Sequence, residues 1–305
     1  MHWLRKINNI IYHLSLSLVI CPAIAATYPI NEDNDMIGAI QTTRVMMGES
    51  LADISRRFDI GIFEIIEANP QLSPRNPRRG ALVTIPSQFI LPSGLRQGMV
   101  INLAEMRVYY FHQDKKHVST YPIGIGRKDW ETPLGTGTII QKVKNPSWTP
   151  PQSIRDWYEA NKLFLPDVIP PGPQNPLGDY AMRLSIPGYL IHGTNRPSGI
   201  GLRTSSGCIR LYPEDIEELY GLITIGTKVR IINKPYKIGR HNGKIYIEAH
   251  QPLSGEMYRV LTPEEMLEQA FIESEVDVKI VDLDAAVKAS KQASGYPELI
   301  ELDNI

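Results

Sequence analysis

The sequence predicts an α+β protein in which a small β-α-α-β module precedes a mainly β body. Three observations predict it. The 305 residues include 24 Pro and 23 Gly, which distribute turns along the chain and argue against an all-helical bundle. Runs rich in β-branched and aromatic residues recur between Val100 and Ile232. Helical spacing of apolar residues is confined to short stretches, the first two close together near the start. Hydrophobic residues at 42% and charged residues at 21% are ordinary for a globular chain. No apolar run reaches the roughly 18–20 residues of a spanning helix, which argues against a polytopic protein. A net charge of -1 gives no support for nucleic-acid binding, and two cysteines, Cys21 and Cys208, provide neither a disulfide framework nor a four-cysteine zinc site.

Residues 1–26 read as an export signal. Arg5 and Lys6 precede an apolar run from Ile10 to Ile20, and Ala23-Ile24-Ala25 has the small-x-small pattern of a cleavage site. Cleavage there leaves Cys208 as the sole thiol of an exported, periplasmic protein, where an unpaired cysteine is a hazard unless it has work to do. Charge is uneven. Leu261 to Ile305 carries 11 acidic residues and three lysines, whereas the body ahead of it is mildly basic and suits an anionic polymer.

The first module spans residues 41–87. Thr43–Met46 is a strand, Ser50 caps a helix over Leu51–Phe58 with Asp53 in its first turn, a second helix covers Ile62–Ala68, and Ala81–Pro86 closes as a strand. The body, residues 97–234, opens with strands at Val100–Leu103, Arg107–His112 and Val118–Ile125. Gln113–Lys116 forms a hairpin turn between the second and third. Strands follow at Thr138–Val143, Tyr189–His192 and Thr227–Ile232, with a helix over Pro213–Tyr220. Pro146 to Pro176 holds eight prolines together with Trp148, Trp157, Tyr158 and Phe164, a composition that suits the wall or lid of a site. Residues 235–305 form an extension with strands at Tyr236–Ile238 and Lys244–Ala249. A helix there opens at Thr262 with Glu265 completing a capping box, and Ser290 to Ile305 are expected to be disordered.

The chemistry concentrates in Ile191-His192-Gly193-Thr194 and Thr204-Ser205-Ser206-Gly207-Cys208-Ile209-Arg210. Cys208 follows His192 by 16 residues, enough to fold the side chains together. A thiol of ordinary pKa is mostly protonated at neutral pH and needs a base or a nearby positive charge. His192 can take its proton and return it to a departing amine. Gly207 removes a side chain beside the nucleophile, so that the N–H groups of Gly207 and Cys208 can face an oxyanion. Arg210 can hold a substrate carboxylate or favour the thiolate.

Two resemblances follow from these residues. Gly48-Glu49-Ser50-Leu51, Ile54, Asn69-Pro70, Gly80, Leu82 and Ile85-Pro86 make the first module similar to a LysM domain, which implies binding to peptidoglycan glycan. His192-Gly193 with Ser205-Ser206-Gly207-Cys208-Ile209-Arg210 resembles the signature of the L,D-transpeptidase (YkuD) catalytic domain, in its ErfK/YbiS-like periplasmic group. Thr132-Pro133-Leu134-Gly135, Trp148 and Asn175-Pro176-Leu177-Gly178 match further recurring positions. That resemblance implies a β-sandwich-like catalytic fold, a Cys208 nucleophile, a His192 base, and neither metal nor cofactor. The implied oxyanion and substrate-binding set is Gly207, Ser206, Ser205, Gly193 and Arg210. Ser206 stands where the family often has His, so the base role rests on His192, with the Gly193 carbonyl as its orienting partner. The implied reaction opens a peptidoglycan tetrapeptide stem at its third residue, releases D-Ala and passes the acyl group to an amine. That amine belongs to diaminopimelate or to the C-terminal lysine of a Braun-type outer-membrane lipoprotein, and the lipoprotein fits the motif context better. A same-fold cysteine hydrolase and a non-catalytic wall-binding protein are the alternatives. Every candidate catalytic residue follows Gln97, so the first module is expected to be separable from the chemistry.

Overall fold

The computed structural model describes residues 26–302 apart from 32, 256, 257, 259 and 260. Of the expected export signal, residues 1–25, with Cys21, lie outside the described residues, and Ala26 opens the first strand. A nine-stranded sheet forms the body. In spatial order its strands are Ala26–Pro29, His117–Pro122, Arg107–Phe111, Gly98–Asn102, Lys228–Ile232, Gly135–Lys144, Tyr180–Leu184, Leu190–His192 and Ile209–Arg210. Residues 135–138 pair with 228–231, and residues 139–144 pair with 180–184 across a register shift between Ile139 and Gln141. A strand that changes partner at an irregularity turns a corner in its sheet. The two halves thereby enclose the main core, with Met99, Ile101, Val108 and Tyr110 from one and Met182, Leu184, Ile191 and Ile209 from the other. The sandwich-like character comes from one bent sheet.

Arg107–Phe111 is buried on both faces. Strand side chains alternate, so Val108 and Tyr110 enter the main core while Tyr109 and Phe111 point the other way. What they meet there joins the first module to the body. Gln41–Arg44 pairs with Leu82–Ile85, and the helices Leu51–Arg57 and Ile62–Glu67 lie between them. Their Leu51, Ile54, Ile65, Val83 and Ile85 share one apolar cluster with Val100, Tyr109, Phe111 and Val118 of the sheet. Within that interface Glu64 grips the Arg107 guanidinium with both oxygens, at 2.8 and 2.9 Å. Both side chains are buried, and removing either would strand a charge at a cost of about 3–5 kcal/mol. Asp59 and Asp215 meet across the same interface. Burial lifts the Asp59 carboxyl to about 6 and holds Asp215 well above the usual range.

The extension is a third unit. The hairpin Tyr236–His241/Lys244–Ala249 gains Glu298–Leu299 as a third strand and carries the helices Pro263–Ser274 and Leu283–Gln292. Thr262 and Glu265 form the expected capping box. The expectation of disorder from Ser290 is corrected up to residue 302. Asp282 caps the second helix, its Ala286 and Ala289 are buried on the hairpin, and Ile300 is buried beside them. That helix is too short to persist alone and is held by packing. A buried ionic cluster ties the extension to both other units. Lys237 Nζ donates to Glu105 (2.7 Å) and to the Ile90 carbonyl (2.6 Å) and pairs with Glu248 (2.9 Å). His250 bonds Glu248 at 2.8 Å and Glu67 of the first module at 3.3 Å. Glu105, Glu248 and His250 could by themselves hold a cation, but the Lys237 ammonium supplies the positive charge there.

Candidate active site

Leu190–His192 runs parallel to Ile209–Arg210, with Ile191 opposite Ile209 and His192 opposite Arg210. Cys208 immediately precedes the second of these strands, so one short parallel pairing brings together residues 16 apart in sequence. Cys208 is half-buried and is the one free thiol among the described residues. Its sulfur lies 3.9 Å from the Gly188 carbonyl. Burial pushes the thiol up, while the Leu190 backbone and the charges of Arg210 and Arg183 pull it back.

His192 is almost fully buried, and its Nδ1 lies 2.6 Å from the Gly193 carbonyl. A carbonyl can only accept, so Nδ1 carries the proton and Nε2 keeps its lone pair. Burial, reinforced by Arg210, drives the imidazole down to about 3, which leaves it neutral at working pH. Gly193 thus fills the orienting role implied for it. Gly178 makes the close fit behind it possible: its φ is +65°, and a Cβ there would stand 2.9 Å from the Thr194 nitrogen.

The loop ahead of Cys208 differs from expectation at two residues. Ser205 is buried, and its hydroxyl accepts from Gly207 N–H (3.1 Å) and donates to the Cys208 carbonyl (2.5 Å). It braces the loop, with its only donor and one of its two acceptor sites engaged there. Gly207 N–H is consumed in that brace and is not the open oxyanion donor expected of it. Its glycine is required for another reason: φ is +99°, and a Cβ would meet the Tyr189 ring at 2.8 Å. Ser206 lines the cavity with its hydroxyl 3.4 Å from Arg127.

The cavity holds about 590 Å³ and is bounded by Cys208, His192 and the segment Pro146–Pro176. That segment contains the helix Gln152–Ala160, none of whose residues is buried. Trp148 and Ile169 exchange two 2.8 Å backbone bonds across its neck. Asn175 fastens the neck to the sheet, its amide donating to the Pro146 carbonyl (2.7 Å) and its oxygen accepting from Leu177 N–H (2.9 Å). Trp148, Trp157 and Trp130 face the cavity. Its charged lining consists of Arg127, Arg183, Arg196 and Arg210, with no carboxylate among the lining residues. The Arg210 Nε is buried with no hydrogen-bond partner among the described residues. Arg203 points elsewhere, donating to the Ser254 carbonyl of the extension at 2.7 Å. Sequence reasoning missed Arg127, Arg183 and Arg196, because isolated arginines carry no motif.

The L,D-transpeptidase catalytic domain (YkuD) model matches residues 96–231, a span that contains all of these cavity residues. The chain is 44% identical over 240 residues to the probable L,D-transpeptidase YcfS of Escherichia coli strain K12, covering 76% of this chain and 75% of that one. It is 36% identical over 305 residues to the probable L,D-transpeptidase ErfK/SrfK of the same strain, covering 96% of each. Among solved structures, the catalytic domain of the Enterococcus faecium L,D-transpeptidase overlaps at a TM-score of 0.34 and 23% identity, over 45% of this chain and 98% of that one. A thiol, a neutral imidazole and a braced glycine loop thus sit inside a sequence whose identity to ErfK/SrfK extends beyond the catalytic domain at both ends, and the chain belongs to the L,D-transpeptidase family.

Proposed function

We propose that this L,D-transpeptidase acts, after export to the periplasm, on the tetrapeptide stems of peptidoglycan, with Cys208 as nucleophile and His192 as base. The observation that carries the reading is the pairing of an uncharged thiol and imidazole with a cavity whose charges are all arginine. Four cations converging without a carboxylate repel one another, and an anionic ligand relieves that repulsion. A stem peptide, with several free carboxylates, is such a ligand.

In the first half-reaction the Cys208 proton passes to His192 Nε2 as sulfur bonds to the carbonyl carbon of the third stem residue. The oxyanion collapses, the bond to D-Ala breaks, and His192 returns the proton to the leaving nitrogen. The acceptor amine then attacks the thioester and gives a proton to His192. Collapse expels the sulfur, which recovers that proton. A carboxylate seated on Arg210 would neutralise the charge that reinforces the depression of His192, so donor binding makes the base stronger. Trp148, Trp157 and the helix Gln152–Ala160 shield the thioester from water.

The acceptor we favour is the C-terminal lysine of an outer-membrane lipoprotein, with diaminopimelate as the competitor. Arg210 is the cavity arginine beside the nucleophile that can orient either one. The first module, with its β-α-α-β order, is read as a LysM unit that holds glycan. The test incubates the protein with disaccharide-tetrapeptide and a lysine-terminated peptide and records masses. An acyl adduct on Cys208 and a joined product are expected. A tripeptide product alone would mean a hydrolase, and an unchanged substrate would sink the reading. Wall digests showing dimers joined through two diaminopimelates and no lysine-bearing tripeptides would overturn the acceptor assignment.

A further inference from the structure

We infer that Tyr258 of the C-terminal extension and Thr132 of the body are positioning residues for the oxyanion site, and that this is how the extension serves the reaction. Thr132 is fully buried. Its hydroxyl accepts from Gly126 N–H at 3.0 Å and donates to the Gly207 carbonyl at 2.8 Å. The Gly207 carbonyl and the Cys208 N–H belong to one peptide unit, and the described chain contains no cis peptide bond. In a planar trans peptide the C=O and N–H point in opposite directions. Fixing the carbonyl on Thr132 therefore aims the Cys208 N–H the other way, and with Gly207 N–H engaged by Ser205 this is the loop donor left for the oxyanion.

Thr132 is itself held from behind. Tyr258 is buried among the body's core residues, and its hydroxyl donates to the Thr132 carbonyl at 3.1 Å. Burial pushes that phenol up to about 12, so it remains a donor throughout the working range. Neighbouring contacts seat the same stretch of the extension: the Ser254 carbonyl accepts from Arg203, and Gly255 passes so close to Glu131 that a Cβ would come within 2.6 Å of its carboxylate. A relay thus runs from the extension through Thr132 to the peptide bond before the nucleophile.

The test compares Thr132→Val, Thr132→Ser and Tyr258→Phe in the full chain on two reactions of Cys208. Acylation by p-nitrophenyl acetate needs both the thiol and the oxyanion donor, but no stem-peptide site. Alkylation by iodoacetamide needs the thiol alone. Losing an aimed oxyanion donor costs about 10²–10³ in rate, so Thr132→Val should slow acylation by roughly a hundredfold. Thr132→Ser should restore most of that, and Tyr258→Phe should lose about three- to tenfold. Alkylation should change less than twofold in all three. Parallel losses in both reactions would show general damage to the loop and overturn the inference, as would wild-type acylation in Thr132→Val. The ester reports the relay whether or not stem peptides prove to be the substrate, so this result is independent of the masses recorded with disaccharide-tetrapeptide.

Discussion

Two histidines are buried to the same degree in this protein and are driven in opposite directions. His192 faces a carbonyl and an arginine and falls to about 3. His250 suffers the same burial but lies between the carboxylates of Glu248 and Glu67, which lift it to about 10. Partners, not depth, decide which state is held. The neutral ring suits a site that must receive a proton. The charged ring suits a joint, where a cation of the extension meets one carboxylate of its own hairpin and one of the first module.

The contrast can be broken at either end. His192→Gln should lower the acylation rate by about 10²–10⁴ with little loss of stability, read by single-turnover mass spectrometry beside a urea melt. A fully active variant would move the base elsewhere. At the joint, Lys237→Met should take the ammonium from Glu105 and leave Glu248 with His250 alone, and cost about 3–5 kcal/mol in urea unfolding. Adding Glu105→Gln should recover part of that, and a Lys237→Met protein as stable as wild type would mean that the cluster is not charged as described.

Smaller effects test the two protonation states directly. Because His250 is raised in the folded protein above the 6.5 of an unfolded histidine, its contribution is complete below about pH 6.5 and fades as pH climbs through about 10. The stability gap between wild type and His250→Gln should therefore narrow over that interval, and a constant gap would refute the charged assignment. His192 has the reverse sign, costing stability as pH falls from 6.5 toward 3, while kcat/KM should show no histidine limb between pH 5 and 7. Smallest of all, Arg56→Ala should cost less than about 1 kcal/mol, since its 2.7 Å pair with Glu214 is well exposed to water on both sides.

Much of this was legible in sequence where the cause is local. The capping residues Ser50 and Thr262 mark their helices by spacing alone, and Arg107–Phe111 shows its strand through β-branched and aromatic content. His192 and Cys208 were legible as a motif. What escaped depends on distant partners. Glu64 and Arg107 look like solvated charges until the fold places them face to face, so the shared core of module and sheet was invisible. Leu283–Gln292 looks like a polar, alanine-rich tail because its stability comes from the hairpin beneath it. Tyr180–Leu184 went unnoticed because it lacks clear alternation and is recognised by its neighbours on both sides.

The ionic joint also sets the order of events as the chain is made. Glu105 waits for Lys237, 132 residues downstream, and Glu67 waits for His250, 183 residues downstream. An emerging chain that has finished its nucleophile loop still carries acidic groups with no place to be buried, so the sheet cannot close around them. Contacts of such long range also form slowly. Folding is thereby deferred until the hairpin of the extension has appeared, and a polypeptide cut short before Lys237 should remain open, protease-sensitive and without a working thiol site.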